Sequence, residues 1–193
     1  MSQDKYAILF PGIGYHNDKP LLYYGKKLAR QYGYQIIEVS YSGFPANIRG
    51  DAALMKQSFQ LALDQSMESL KDRTFDEKSQ ILILSKSIGT AVAAAWQKQA
   101  GLTARNIYFT PVKESFAVID EASGIVFHGT ADPWADTTSL LEECQRLHLP
   151  CYLTEEANHS METGDALRDL CILQDIMKTC QAYMCNCLED GEE

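Results

Sequence analysis

The chain has 193 residues, 46% of them hydrophobic and 22% charged, an ordinary balance for a soluble globular protein. That length suits one domain over residues 1–193, able to bury about 70% of the surface its unfolded chain exposes. The net charge of −9, with no basic cluster denser than Lys26-Lys27 before Arg30, argues against nucleic acid or an anionic membrane surface as the main partner.

The opening residues, Met1-Ser2-Gln3-Asp4-Lys5, lack the basic and then apolar regions of an export signal. No apolar run approaches the ~18 residues that span a bilayer. A cytoplasmic location without membrane association is therefore the expectation, with a small molecule as partner. Four of the six cysteines, Cys171, Cys180, Cys185 and Cys187, fall late in the chain at spacings unlike a zinc finger or ribbon. They read as reduced thiols on a helix. Neither a metal nor a cofactor is expected.

In chain order, apolar runs at residues 6–10, 35–40, 81–85, 106–110, 124–128 and 151–154 alternate with longer segments of helical period. The runs are mostly continuous and rich in Ile, Leu, Val and aromatics, as strands buried on both faces should be. After the first run, Asp18 is placed to cap a helix with Pro20 in its first turn, Leu21, Leu28 and Tyr32 among its apolar residues, and Gly33 at its end. Met55, Phe59, Leu63 and Leu70 keep helical spacing in the next segment. Residues 88–100 form an alanine-rich helix able to approach a sheet closely. Residues 136–148 and 165–187 supply the last two helices, the latter with Leu170, Leu173 and Met177 along one stripe. Strand and helix alternating in this way predicts an α/β fold, a three-layer sandwich with a mostly parallel sheet of about six strands and helices on both faces.

Three positions carry chemistry. In Ser85-Lys86-Ser87-Ile88-Gly89 a strand runs through a tight turn into a helix, with Ser87 at the corner. This is the setting of a G-x-S-x-G elbow, in which small outer residues let strand and helix crowd together and the turn lifts the hydroxyl clear of the sheet. Ser85 stands where the first glycine would be. A serine in such a turn is also a common helix cap. Two further segments favour the chemical reading. His128-Gly129-Thr130-Ala131-Asp132 places Asp132 just past the end of a predicted strand, and Asn158-His159-Ser160 places His159 beyond the next one. Functional groups in open α/β sheets gather at the carboxyl ends of the strands.

On these segments, together with Phe10-Pro11-Gly12-Ile13-Gly14, the chain resembles a compact member of the α/β-hydrolase superfamily over essentially its whole length. The order Ser, Asp, His is that of the superfamily and not of the trypsin-like or subtilisin-like proteases. The first segment departs from the common His-Gly start, with Pro11 before Gly12. The resemblance implies Ser87 as nucleophile, His159 as base, Asp132 as acid, and the backbone N–H groups of Ile13 and Ile88 as oxyanion hole. It implies a serine hydrolase, with a small carboxylic ester as the expected substrate. An amide or thioester hydrolase with the same residues, or a catalytically silent binding protein, are the alternatives. A flavodoxin-like nucleotide module fails, because Gly12-Ile13-Gly14 is followed by Tyr15-His16 with no third glycine and no Walker lysine.

Other polar residues have plainer readings. Asp132 could simply begin an Asp-Pro turn. Asp136 is a competing acid, but lies inside a predicted helix. His128 reads as a strand-end residue packed near the site, and His148 as an exposed helix end. His16 and Trp134 are candidate substrate contacts; Trp134 and Phe44 could equally be core. Lys86 adjoins the serine, yet alternate side chains in such a turn diverge. Only about a dozen residues, 111–123, separate two late strands, which leaves no space for a large lid. An open, shallow crevice is the expectation.

Overall fold

The computed structural model describes residues 4–48 and 50–186. All six apolar runs are strands: β1 (Lys5–Phe10), β2 (Gln35–Glu38), β3 (Gln80–Lys86), β4 (Arg105–Phe109), β5 (Gly124–Gly129) and β6 (Cys151–Thr154). They form one parallel sheet in the order β2-β1-β3-β4-β5-β6. β1 and β3 are neighbours, so the chain leaves β1 in one direction to make β2 and returns on its other side. Crevices at such a reversal are where α/β sheets bind ligands.

Among the described residues five α-helices cover the sheet: α1 (Pro20–Gln31), α2 (Ala52–Leu70), α3 (Ile88–Ala100), α4 (Thr137–Arg146) and α5 (Ala166–Met184). Alternation along the strands divides the apolar residues between the two faces. Leu82 and Leu84 pack with Leu21 and Leu22 of α1 and Ile176 and Cys180 of α5. Ile81 and Ile83 face the other way, against Leu63 of α2 and Val92 and Trp96 of α3. Tyr108 and Val126 continue that second face under Leu140 and Cys144 of α4. The result is the expected three-layer α/β sandwich.

Local details depart from the sequence reading in two places. The residue capping α1 is Lys19, with no side-chain cap bond, and Pro20 fills the first helical position. Asp18 instead accepts from the ammonium of Lys26 at 2.9 Å. That ammonium also meets Glu38 of β2 at 3.0 Å, so Asp18 serves the α1–β2 contact and not the helix end. On α5 the buried residues are Ile176, Cys180 and Met184, whereas Leu170 is 61% exposed. Leu173 and Met177 are partly covered at the margin of the same cluster. Leu170, Leu173 and Met177 thus flank the buried stripe; the helix has two apolar rows, and the sheet takes the one ending in Met184. Cys171 and Cys180 lie on α5 and Cys185 just beyond it, while Cys187 lies outside the described residues.

Among the described residues no helix is long and apolar enough to cross a membrane.

Candidate active site

The site begins with the corner between β3 and α3. Ser87 has φ 56° and ψ −128°, a backbone conformation that a side chain normally forbids. Holding it there costs about 1–3 kcal/mol, which the surrounding contacts must over-determine. They do so from three sides. The Ser87 N–H donates to the Phe109 carbonyl at 3.0 Å, fixing the corner to β4. The Thr90 hydroxyl donates to the Ser87 carbonyl at 2.7 Å and lies 2.6 Å from the buried Ser115 hydroxyl, tying the corner to a 3-10 turn at Lys113–Ala117. Gly12, after β1, presses against the third side, where a Cβ on it would lie 3.1 Å from the Ser87 Cβ.

His159 and Asp132 arrive from loops beyond β6 and β5. The His159 Nε2 lies 2.8 Å from the Ser87 hydroxyl, and its Nδ1 lies 2.7 Å from an Asp132 carboxylate oxygen. An ionised carboxylate only accepts, so Nδ1 carries the proton and Nε2 is left to accept from the serine. Asp132 is held in turn: its other oxygen accepts from the Trp134 N–H at 2.8 Å, and its side chain is wholly buried. Burial alone would raise the carboxyl pKa, but the hydrogen bond and charge of His159, with the Trp134 amide, outweigh it and hold Asp132 below the usual carboxylate range. The His159 loop is shaped by Asn158, whose side-chain oxygen accepts from the Ser160 N–H at 2.7 Å. Across the loop, the Asn158 N–H reaches the Glu162 carbonyl at 2.8 Å. Burial depresses the His159 imidazole below the ordinary histidine value; the Asp132 hydrogen bond opposes this and the nearby Lys86 reinforces it.

Ile88 follows the serine at the first position of α3, where helical amides have no partner within the helix. Ile13 sits at the tip of a tight turn closed by Gly12 and Tyr15, whose amides and carbonyls exchange bonds of 3.1 and 3.3 Å. Both amides therefore belong to backbone that stands beside Ser87.

The sequence matches no protein-family model and no curated protein. Solved structures of low identity do match over nearly the whole chain. One is an esterase of Pyrococcus furiosus, 13% identical, covering 96% of this chain and 84% of its own, with a TM-score of 0.65. Another is an α/β serine hydrolase without a lid from Xanthomonas campestris, 12% identical, covering 100% and 86%, with a TM-score of 0.63. A third is an α/β serine hydrolase homologue from Coxiella burnetii, 13% identical, covering 92% and 85%, with a TM-score of 0.58.

The chain has the α/β-hydrolase fold.

Against that fold its departures become intelligible. Ser85 replaces the first glycine of the elbow with its side chain fully buried and its hydroxyl 3.5 Å from the Ile107 carbonyl of β4. The space between β3 and β4 admits a hydroxymethyl group. The connection at 111–123 carries only the 3-10 turn, as its length predicts. A mostly apolar pocket of about 310 Å³ does open beside Ile88, between Met55 and Phe59 of α2, Ile88 and Ala91 of α3, and Val112 and Val118, with Lys56 and Glu114 also in its lining.

The remaining candidates disperse around the hydrolase scaffold. Trp134 is half-buried with its ring 5.7 Å from that of His159. His16 is exposed, and its Nδ1 accepts from the Asp18 N–H at 3.3 Å. Phe44 stacks edge-on against Tyr41 at 5.9 Å, beside the α2–α3 core. Asp136 caps α4, accepting from the Ser139 N–H at 2.9 Å. His128 is buried in β5, 3.9 Å from Asp132 and 2.9 Å from the Thr137 hydroxyl. His148 is exposed beside Glu121 at 3.3 Å. Thr90, Ser115 and Thr110 were not singled out in the sequence. Each acts through a bond spanning more than twenty residues or to its own turn, for which no local pattern exists.

Proposed function

We propose that the protein is a serine hydrolase that cleaves small carboxylic esters through an acyl-enzyme. One observation carries this reading: an unbroken relay from the Ser87 hydroxyl through His159 to a buried carboxylate, set at a strained strand-to-helix corner. His159 takes the serine proton as the hydroxyl attacks the ester carbonyl, then passes it to the departing alcohol. Asp132 keeps the imidazole oriented and balances the imidazolium. The developing oxyanion is met by the Ile88 and Ile13 amides, the first reinforced by the N-terminus of α3. Water, deprotonated by the same imidazole, then releases the acid and restores Ser87.

Two further points support an ester of modest size. The fold is shared with the Pyrococcus furiosus esterase and with the lidless hydrolase of Xanthomonas campestris. The pocket of about 310 Å³ beside Ile88 is at the small end of ligand sites and offers the acyl group an apolar wall.

The test is labelling with a fluorophosphonate probe, followed by p-nitrophenyl esters of graded acyl length. Wild-type protein is expected to label at Ser87 and to hydrolyse two- to four-carbon esters best. Absence of labelling, or hydrolysis undiminished in Ser87→Ala, would overturn the reading.

A further inference from the structure

Lys86 is the last residue of β3 and precedes Ser87, yet its side chain points away from the crevice into the α1/α5 side of the sheet and is wholly buried. Burying an ammonium is costly unless it is paired. Among the described residues no carboxylate comes within 4.0 Å of it; the nearest partners are neutral. Its Nζ lies 2.5 Å from the Thr110 hydroxyl oxygen and 4.9 Å from the centre of the Tyr15 ring. Thr110 in turn donates its one hydroxyl proton to the backbone carbonyl of His159 at 3.1 Å. The Thr110 oxygen therefore accepts from Lys86, and the three residues form a chain that ends on the backbone of the candidate base. Thr110 adopts φ 42°, a positive value unusual for a β-branched residue, which marks the position as held by its surroundings. A leucine or methionine would fill the same space without the desolvation cost.

Resting on the serine-hydrolase reading, we propose that Lys86 is a positioning residue for the base: through Thr110 it anchors the His159 carbonyl, and its charge near the imidazole sets the pH at which His159 can accept the serine proton.

The groups around it are few. Tyr15, from the turn after β1, has its phenol pushed well above the ordinary range by burial and is neutral. The Glu162 charge adds to that upward shift. Asp132, after β5, attracts the ammonium from a distance; His128, in β5, is pushed towards its neutral form by its own burial. His159 feels Lys86 as a like charge. Burial lowers the Lys86 pKa to about 7, only partly resisted by Asp132, so the ammonium is present where the imidazole titrates. A cation there disfavours the imidazolium and keeps the base free at lower pH.

The experiment measures the second-order rate of fluorophosphonate labelling from pH 5 to 9 for wild type, Lys86→Met, Lys86→Gln and Thr110→Val. Wild-type labelling rises with pH through a midpoint below the ordinary histidine value of about 6.5. Both Lys86 variants, of which the glutamine can still donate to Thr110, move that midpoint up by ~0.5–1 unit as the like charge is removed. Thr110→Val removes the hydroxyl that links Lys86 to the His159 carbonyl, so it lowers the rate; the ammonium, deprived of that acceptor, is easier to deprotonate, and the midpoint lies between those of wild type and the Lys86 variants. A midpoint unchanged in whichever Lys86 variant folds overturns the inference. A wild-type midpoint at or above about 6.5 does so without any variant. Wild-type protein that takes no phosphonate at any pH overturns the serine-hydrolase reading, and the inference with it.

Discussion

Gly89 stands so close to the end of β1 that a Cβ placed on it would lie 2.3 Å from the Pro11 carbonyl oxygen. The obstacle is backbone, which cannot rotate away. Gly89→Ala must therefore push α3 off the sheet or twist the corner at Ser87. Overpacking of this kind costs about 1–3 kcal/mol or more. The variant is expected to unfold at lower temperature and to label with fluorophosphonate far more slowly than its remaining folded fraction explains. Wild-type labelling in a stable Gly89→Ala protein would show that the corner does not depend on this contact.

The strain at Ser87 makes a second expectation, separate from chemistry. Ser87→Ala should lose turnover by roughly 10⁴–10⁶-fold, as triad nucleophiles do. Ser87→Gly should be equally inactive yet more stable than Ser87→Ala by about 1 kcal/mol, because glycine adopts a positive φ without penalty. Urea denaturation of the two variants measures the difference. Ser85→Ala, two residues away on the buried side of β3, should leave labelling largely intact.

The buried Lys86 predicts a pH-dependent stability with a definite sign. Its folded-state pKa of about 7 lies below the unfolded value of 10.5, so between those pH values the unfolded chain binds the extra proton. Stability contributed at this position therefore rises with pH across that window, and the penalty is fully present below it. Lys86→Met lacks the penalty. It should unfold at higher denaturant concentration than wild type at pH 7, with an advantage that shrinks as pH rises towards 10. An advantage independent of pH would point to better packing as its source.

The pocket beside Ile88 sets a limit on acyl size. Ala91 forms part of its wall, and Ala91→Leu would occupy much of the space now open to an acyl tail. Each methylene denied burial forfeits about 0.8 kcal/mol, so a butyrate ester should lose roughly tenfold in kcat/KM relative to an acetate ester. Equal losses on both esters would place the acyl group elsewhere in the crevice.

Much of this was legible in the sequence because parallel strands, covered on both faces, write themselves as continuous apolar runs. The run at residues 81–85 leads into Ser87, that at 124–128 towards Asp132, and that at 151–154 towards His159, so the strand ends alone assemble the candidate site. What was not legible depends on which neighbour a side chain finds. Asp18 looks like a helix cap until Lys26 is seen to claim it. Leu170, Leu173 and Met177 make a regular row, but the sheet takes the adjacent row of Ile176, Cys180 and Met184. Lys86 carries no periodic signal at all; its burial follows from the alternation of β3, and its partner Thr110 is set by the pairing of β3 with β4, twenty-four residues on.

The strand order also governs how the molecule comes into being. β1 is made before β3 but lies inside the sheet between β2 and β3, where Tyr6 pairs with Ile81, seventy-five residues later. At ~5–20 residues per second, a ribosome needs ~4–15 s to supply that partner. Through that interval the Ala7–Phe10 stretch, later wholly enclosed, can be sheltered only by α1, β2 and α2. The nascent chain is then at its most exposed to aggregation or chaperone capture, and mutations that weaken the β1–α1–β2 unit should reduce yield before they reduce the stability of the finished protein.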